Sequence, residues 1–219
     1  MTRMFAMLCL FFGACASAQP APEARVEANG VSRAGDPSLT IRVPDGAVYA
    51  GGERFELYGV ADCEIHVFVE ADSDRRVRRF YWIQFEAYLP SRPDARYDYS
   101  GDRPLDLWGT RAWARPGIIL TGRPSRAGSD TERVRAILQR SGYVEPQDFA
   151  YVRFVRLLDD PQDNGQGRRE LMLIYAEDMA STGATTGDVL VDGRPNERWA
   201  PLADALIQRA REAFAVEAG

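Results

Sequence analysis

Two strand-like runs, 63–70 and 77–89, limit the possible folds of this chain more than any other part of the sequence. In the first run, apolar residues alternate with polar or aromatic ones from Cys63 to Glu70, which is the period of a half-buried strand. The second run is long and rich in aromatic residues, and the segment between the two is charged. Together they predict an antiparallel hairpin.

The register of this hairpin decides which side chains share a face. If the most apolar side chains of both runs face the core together, Ile65 pairs with Ile83, and His66 pairs with Trp82. The opposite face then carries an imidazole, carboxylates, an amide and aromatic rings. Its residues are Glu64, His66, Phe68, Trp82, Gln84, Glu86 and Tyr88.

Two functions suit such a face, and plain packing is the third interpretation. Aromatic rings and an amide can stack on and orient a small ligand, which makes four residues candidates for ligand binding: Trp82, Gln84, Phe68 and Tyr88. His66 and Glu86 are candidates for general acid–base catalysis, because imidazole titrates near neutral pH and a neighbouring carboxylate stabilises its charged form. If the face is only covered by solvent or a helix, neither function follows.

A second hairpin and two helices complete the predicted fold. Strands are expected over 151–158 and 169–177. Ser129 followed by Glu132 forms a capping box at the start of one helix, and a second helix has an apolar stripe from Trp199 onward. The sequence thus predicts an α+β fold, a two-layer antiparallel sheet built from two hairpins with two helices packed on one face.

The N-terminal residues have the pattern of a secretory signal peptide. Arg3 precedes an apolar run from Met4 to Phe12, and the small residues Ala16-Ser17-Ala18 follow. The apolar run is about half of the ~20 residues that a membrane-spanning helix needs. The predicted organisation is a signal peptide (1–18), an extended or disordered segment (19–45) and a single α+β domain (46–219).

The same segment allows a second interpretation. Phe12-Gly13-Ala14-Cys15 resembles a bacterial lipobox, in which the cysteine becomes the lipid-modified first residue. Cleavage after Ala18 removes Cys15 and yields a periplasmic or secreted protein, whereas lipidation keeps Cys15 and anchors the protein in a membrane. The sequence leaves both alternatives open.

Composition excludes several kinds of chemistry. The 32 acidic residues outnumber 27 basic ones, and this argues against a general nucleic-acid-binding protein. All the basic residues are arginine, so neither a Schiff-base lysine nor a phosphate-loop lysine can exist. His66 is the single histidine, no metal site or cofactor is predicted, and Cys63 is interpreted as a small buried apolar residue.

These observations favour an exported bacterial cell-envelope domain that binds a small ligand or an envelope protein without catalysing a reaction. One alternative is an atypical hydrolase or isomerase that uses His66 and Glu86. Another is a structural lipoprotein anchored through Cys15. No nucleic-acid partner and no transmembrane span in the mature chain are expected.

Overall fold

The computed structural model describes residues 21–218, so the predicted signal peptide and Cys15 lie outside the described residues. The strands, in chain order, are β1 (Arg25–Glu27), β2 (Gly30–Arg33), β3 (Leu39–Arg42), β4 (Val48–Leu57), β5 (Ala61–Ala71), β6 (Val77–Tyr88), β7 (Tyr97–Asp98), β8 (Arg103–Leu107), β9 (Thr110–Leu120), β10 (Asp148–Leu157), β11 (Gln166–Gly167), β12 (Arg169–Asp178), β13 (Leu190–Val191), β14 (Arg194–Pro195) and β15 (Ala215–Ala218). The helices are α1 (Asp130–Arg140), α2 (Thr186–Val189), α3 (Trp199–Ala213) and a 3-10 helix (Met179–Thr182).

Seven strands form one antiparallel sheet, which we call the main sheet, in the order β4-β5-β6-β12-β10-β9-β8. A four-stranded small sheet has the order β1-β2-β3-β15. Strands make up 47% of the chain and helices 17%, so the predicted two-layer α+β fold is wrong and the protein is mostly β. Among the helices within residues 21–218, none is long and apolar enough to cross a membrane.

The two longer helices pack on opposite faces of the main sheet. Ile137 of α1 shares one buried cluster with Val67 and Phe80, whereas Leu206 of α3 shares the other cluster with Ile83. We call these the α1 face and the α3 face, and the small sheet also packs on the α3 face. The prediction that both helices cover one face is wrong, because the central strands bury side chains on both sides.

The described part of segment 19–45 is built into this fold. It contains β1, β2 and β3, and Ile41 of β3 pairs with Val216 near the other end of the chain. The carboxylate of Glu64, on β5, accepts hydrogen bonds from the main-chain amides of Glu23 (3.0 Å) and Ala24 (2.7 Å). These residues were expected to be extended or disordered, whereas three strands form here and bury Val31, Leu39 and Ile41.

The first hairpin, β5–β6, has a different register from the predicted one. Next to the turn Ala71 pairs with Val77, which agrees with the predicted register. A β-bulge then adds one residue on β6 and shifts every later pair by one position. His66 consequently lies opposite Ile83 and not opposite Trp82, so the predicted pairing is wrong.

Candidate functional site

The shifted register divides the predicted site residues between the two faces of the main sheet. Alternate residues of β6 lie on the α1 face, namely Trp82, Gln84, Glu86 and Tyr88. His66 and Phe68 lie on the α3 face and are fully buried. The sheet therefore separates His66 from Glu86, and the structure does not bring the predicted acid–base pair together.

The polar side chains of β6 form a hydrogen-bonded row. The indole Nε1 of Trp82 donates to Oε1 of Gln84 at 2.9 Å, and Nε2 of Gln84 donates to Oε2 of Glu86 at 2.5 Å. Gln84 is fully buried, so its amide has a fixed orientation. Each side chain of the row donates to the next one, and the carboxyl group of Glu86 is the final acceptor.

Glu86 lies directly opposite Glu170 of β12, and we call these two residues the carboxyl pair. Directly opposite residues of antiparallel strands have Cα atoms about 4.5–5.5 Å apart, so the two side chains are neighbours on the α1 face. Both are buried, and within residues 21–218 neither has an ion-pair partner closer than 4.0 Å. Glu170 was not among the predicted site residues, although it is an acidic residue at the start of the apolar run 171–176.

Three tyrosines lie over the carboxyl pair, and we call them the tyrosine cover: Tyr88, Tyr97 and Tyr99. Tyr97 donates its hydroxyl hydrogen to Glu86 at 2.7 Å, and Tyr99 donates to Glu170 at 2.7 Å. The Tyr88 and Tyr97 rings stack with centroids 4.3 Å apart. The cover is half-exposed, and Tyr97 lies on β7, which is held to β11 by only two residue pairs.

Burial sets the electrostatics of the carboxyl pair. Loss of water contact, together with the negative charge of Glu86, raises the pKa of Glu170 to about 8. Burial also raises the pKa of Glu86, against the opposing effect of its hydrogen bonds from Tyr97, Cys63 and Gln84. At neutral pH the pair therefore retains a proton on Glu170.

Within residues 21–218, no other ionisable group forms an ion pair with either member of the carboxyl pair. Asp130, the first residue of α1, has a pKa raised by burial, and its charge adds to the pKa elevation of both glutamates. The guanidinium of Arg153 lies 5.1 Å from the ring centre of Tyr99, but it forms an ion pair with Asp102 at 2.7 Å. Asp102 is shared with Arg115, and the remaining positive charge of Arg153 lowers the pKa of Glu170 without forming an ion pair with it.

Cys63 borders the same site on the α1 face, where it is fully buried. Burial raises the pKa of its thiol, and the negative charge of Glu86 adds to that effect. A thiol with a raised pKa is a poor nucleophile because the reactive form is the thiolate. This placement fits the interpretation of Cys63 as a small buried apolar residue.

On the α3 face, Tyr49, His66 and Glu64 form a second buried polar group, which we call the Glu64 network. Tyr49 Oη lies 3.2 Å from His66 Nδ1, and His66 Nε2 lies 2.9 Å from Glu64 Oε1. A carboxylate can only accept hydrogen bonds, so Nε2 of His66 donates to Glu64.

The pKa of Glu64 is shifted in the opposite direction from that of Glu170. Burial alone would raise its pKa, but hydrogen bonds from His66 and from two main-chain amides outweigh burial and lower the pKa to about 2. The carboxylate is saturated with donors from the protein itself. The Glu64 network therefore has the character of a structural element that holds residues 23 and 24 against the sheet.

Among residues 21–218, no three histidine, cysteine, aspartate or glutamate side chains group as metal ligands would. On the α1 face, ionisable groups with raised pKa values lie close together at the carboxyl pair and the tyrosine cover. No protein-family model, curated protein or solved structure matches this chain.

Proposed function

We propose that this chain is an exported cell-envelope domain that binds a small ligand carrying a primary amine at the carboxyl pair. The observation that carries this proposal is that two buried glutamates lie side by side with no cation paired to either within the described residues. Unpaired buried carboxyl groups are costly, and such groups concentrate at functional sites. An ammonium group supplies the missing positive charge.

The surrounding residues suit the rest of such a ligand. Glu86 and Glu170 accept hydrogen bonds from the ammonium, and the rings of the tyrosine cover pack against its carbon stem. Trp82 and Gln84 hold Glu86 in place from below. The ligand enters by displacing Tyr97, whose strand β7 pairs with β11 at only two positions, while Tyr88 stays in β6.

Binding of an amine should release a proton. An ammonium beside Glu170 favours the carboxylate form, so its raised pKa falls and the proton leaves for solvent. The affinity for the amine is accordingly expected to rise as the pH increases from about 5 to about 8.

Isothermal titration calorimetry with n-butylamine and 1,4-diaminobutane tests this proposal, and n-butanol is the uncharged control ligand. Titrations in two buffers of different ionisation enthalpy report the released proton. We expect both amines to bind the wild type and to lose binding in Glu86→Gln/Glu170→Gln, whereas Glu56→Gln, at an exposed position of β4, retains it. Absence of amine binding to the wild type, or equal binding of n-butanol, would refute the proposal.

Export is the second part of the proposal and rests on the sequence of residues 1–18. Expression of the full chain in a bacterial host, followed by fractionation and mass spectrometry, distinguishes the two processing routes. Cleavage after Ala18 gives a soluble periplasmic or secreted chain that begins at Gln19. Lipidation gives an acyl adduct on Cys15 that disappears in Cys15→Ala, and recovery of the uncleaved chain from the cytoplasm would contradict export.

A further inference from the structure

A second site is suggested by the distribution of charge along β9 and the segment that follows it. Residues 107–129 contain four arginines and no acidic residue, although acidic residues outnumber basic ones in the whole chain. In the structure, the end of β9, the segment 121–129 and the first turns of α1 line an open surface cleft of about 350 Å³. We call it the arginine cleft, after Arg123, Arg126 and Arg135 in its lining.

Arg135 shapes the cleft and is itself neutralised. Its guanidinium donates to the main-chain oxygen of Arg123 at 2.8 Å and more distantly to that of Leu120 at 3.4 Å. Its Nε lies 3.5 Å from the carboxylate of Glu145. Arg135 therefore fixes the segment 120–123 against α1, and its charge is shared with Glu145.

Arg123 and Arg126 differ from Arg135, because both side chains are exposed and neither has a carboxylate within 4.0 Å among residues 21–218. The guanidinium of Arg126 lies over the ring of Tyr58, with its central carbon 4.2 Å from the ring centre. Stacking on an aromatic ring limits the motion of a guanidinium without neutralising it. The cleft thus presents two uncompensated positive charges.

The N-terminus of α1 does not serve as the anion site. Ser129 Oγ accepts from the amide of Glu132 at 3.2 Å, and the side chain of Glu132 accepts from the amide of Gly128 at 2.7 Å. These main-chain donors are already used within the helix cap. An anion in the cleft must therefore be held by the arginine side chains.

The rest of the lining is largely apolar. Ile118, Leu120 and Pro124 border the cleft beside the guanidinium groups. Apolar walls next to two guanidinium groups suit a molecule with an anionic head and a hydrocarbon stem, and the planar guanidinium fork matches the oxygens of a phosphate group. We infer that the arginine cleft binds a phosphate monoester on an apolar stem, with Arg123 and Arg126 on the phosphate.

Calorimetric titration of the full chain with octyl phosphate tests this inference, and inorganic phosphate and octanol separate the contributions of the head and the stem. We expect octyl phosphate to bind more tightly than either fragment. Arg123→Gln/Arg126→Gln should weaken binding by about tenfold or more. The matched control is Arg92→Gln/Arg194→Gln, which removes the same charge from exposed positions outside the cleft and should leave affinity within about twofold.

Two further measurements sharpen the test. Tyr58→Ala keeps both arginines but removes the ring beneath Arg126, so a smaller loss of affinity is expected. Sedimentation with phosphatidylcholine vesicles, with and without phosphatidic acid, shows whether the phosphate belongs to a lipid surface or to a soluble ester. Failure of octyl phosphate to bind the wild type, or unchanged binding in the double variant with an unchanged urea midpoint, would overturn the inference. Neither result depends on amine binding at the carboxyl pair.

Discussion

The two faces of the main sheet each bury glutamates, but the pKa of Glu64 on one face and that of Glu170 on the other are shifted in opposite directions. On the α3 face, Glu64 accepts hydrogen bonds from His66 and two main-chain amides and remains ionised, with a pKa of about 2. On the α1 face, Glu170 accepts a hydrogen bond from Tyr99, lies beside Glu86 and has a pKa of about 8. A buried glutamate thus stays ionised and anchors the structure where hydrogen-bond donors surround its carboxylate. Where donors are few, it keeps its proton near neutral pH.

The largest expected effect is on the anchored side. Glu64→Ala leaves the imidazole of His66 and the amides of Glu23 and Ala24 without their acceptor in a dry environment. Removing one partner from a buried charged network costs about 3–5 kcal/mol, and we expect a loss of that size in the free energy of unfolding measured by urea titration. Glu64→Gln keeps one acceptor oxygen and should lose less, and a change below about 1 kcal/mol in Glu64→Ala would show that the network is not an anchor.

Glu170 should make stability depend on pH in the neutral range. Its folded-state pKa of about 8 lies above its ordinary value of 4.5, so the folded state binds more protons between these values and loses stability as the pH rises through them. For Glu64 the shift is reversed, and its contribution is lost as the pH falls from about 4.5 to about 2. Glu170→Gln mimics the protonated form and should flatten the decline between pH 5 and 8 by on the order of 1 kcal/mol per pH unit.

Urea midpoints at several pH values measure this difference. Glu56→Gln is the matched control, because the exposed side chain of Glu56 undergoes the same chemical change outside the carboxyl pair. The urea midpoint of Glu56→Gln should change with pH as steeply as that of the wild type. Parallel curves for the wild type and Glu170→Gln would contradict the assignment of a stored proton to Glu170.

The smallest expected effect concerns the tyrosine cover. Tyr97→Phe removes the hydrogen bond to Glu86 but keeps the ring that stacks on Tyr88, so unfolding should become easier by about 1 kcal/mol. Tyr143→Phe is the control, since the hydroxyl of Tyr143 forms no hydrogen bond within the described part of the chain. Equal stability of the two variants would mean that solvent replaces the Tyr97 hydroxyl at no cost.

Part of the fold could be predicted from local periodicity. The alternating runs gave β5, β6, β10 and β12, and the apolar stripes gave α1 and α3. β4 and β9 were not predicted as long strands, because their glycines resemble turn signals. A Cβ on Gly52 would lie 2.9 Å from His66 Nδ1, and one on Gly117 would lie 2.6 Å from the Tyr151 ring, so both glycines make room for neighbouring side chains inside the sheet.

The candidate site was predictable only along one strand. Period-two alternation within β6 brings Trp82, Gln84 and Glu86 to one face whatever the register. Which residue of β6 pairs with His66 depends on the β-bulge. Apolar patterning does not reveal a bulge when both faces of a strand are buried. Glu170 and the tyrosine cover come from distant segments, and strand order is needed to place them beside Glu86.

The pairing of β3 with β15 has a consequence for how the protein is made. Val216 is the partner of Ile41, so the small sheet joins segments that are far apart in sequence and leave the ribosome at different times. Contacts this distant in sequence form slowly because a long loop must close first. Strand β3 therefore lacks its partner β15 until residues 215–218 have been synthesised. A ribosome stalled before residue 215 would hold a nascent chain whose small sheet is still incomplete.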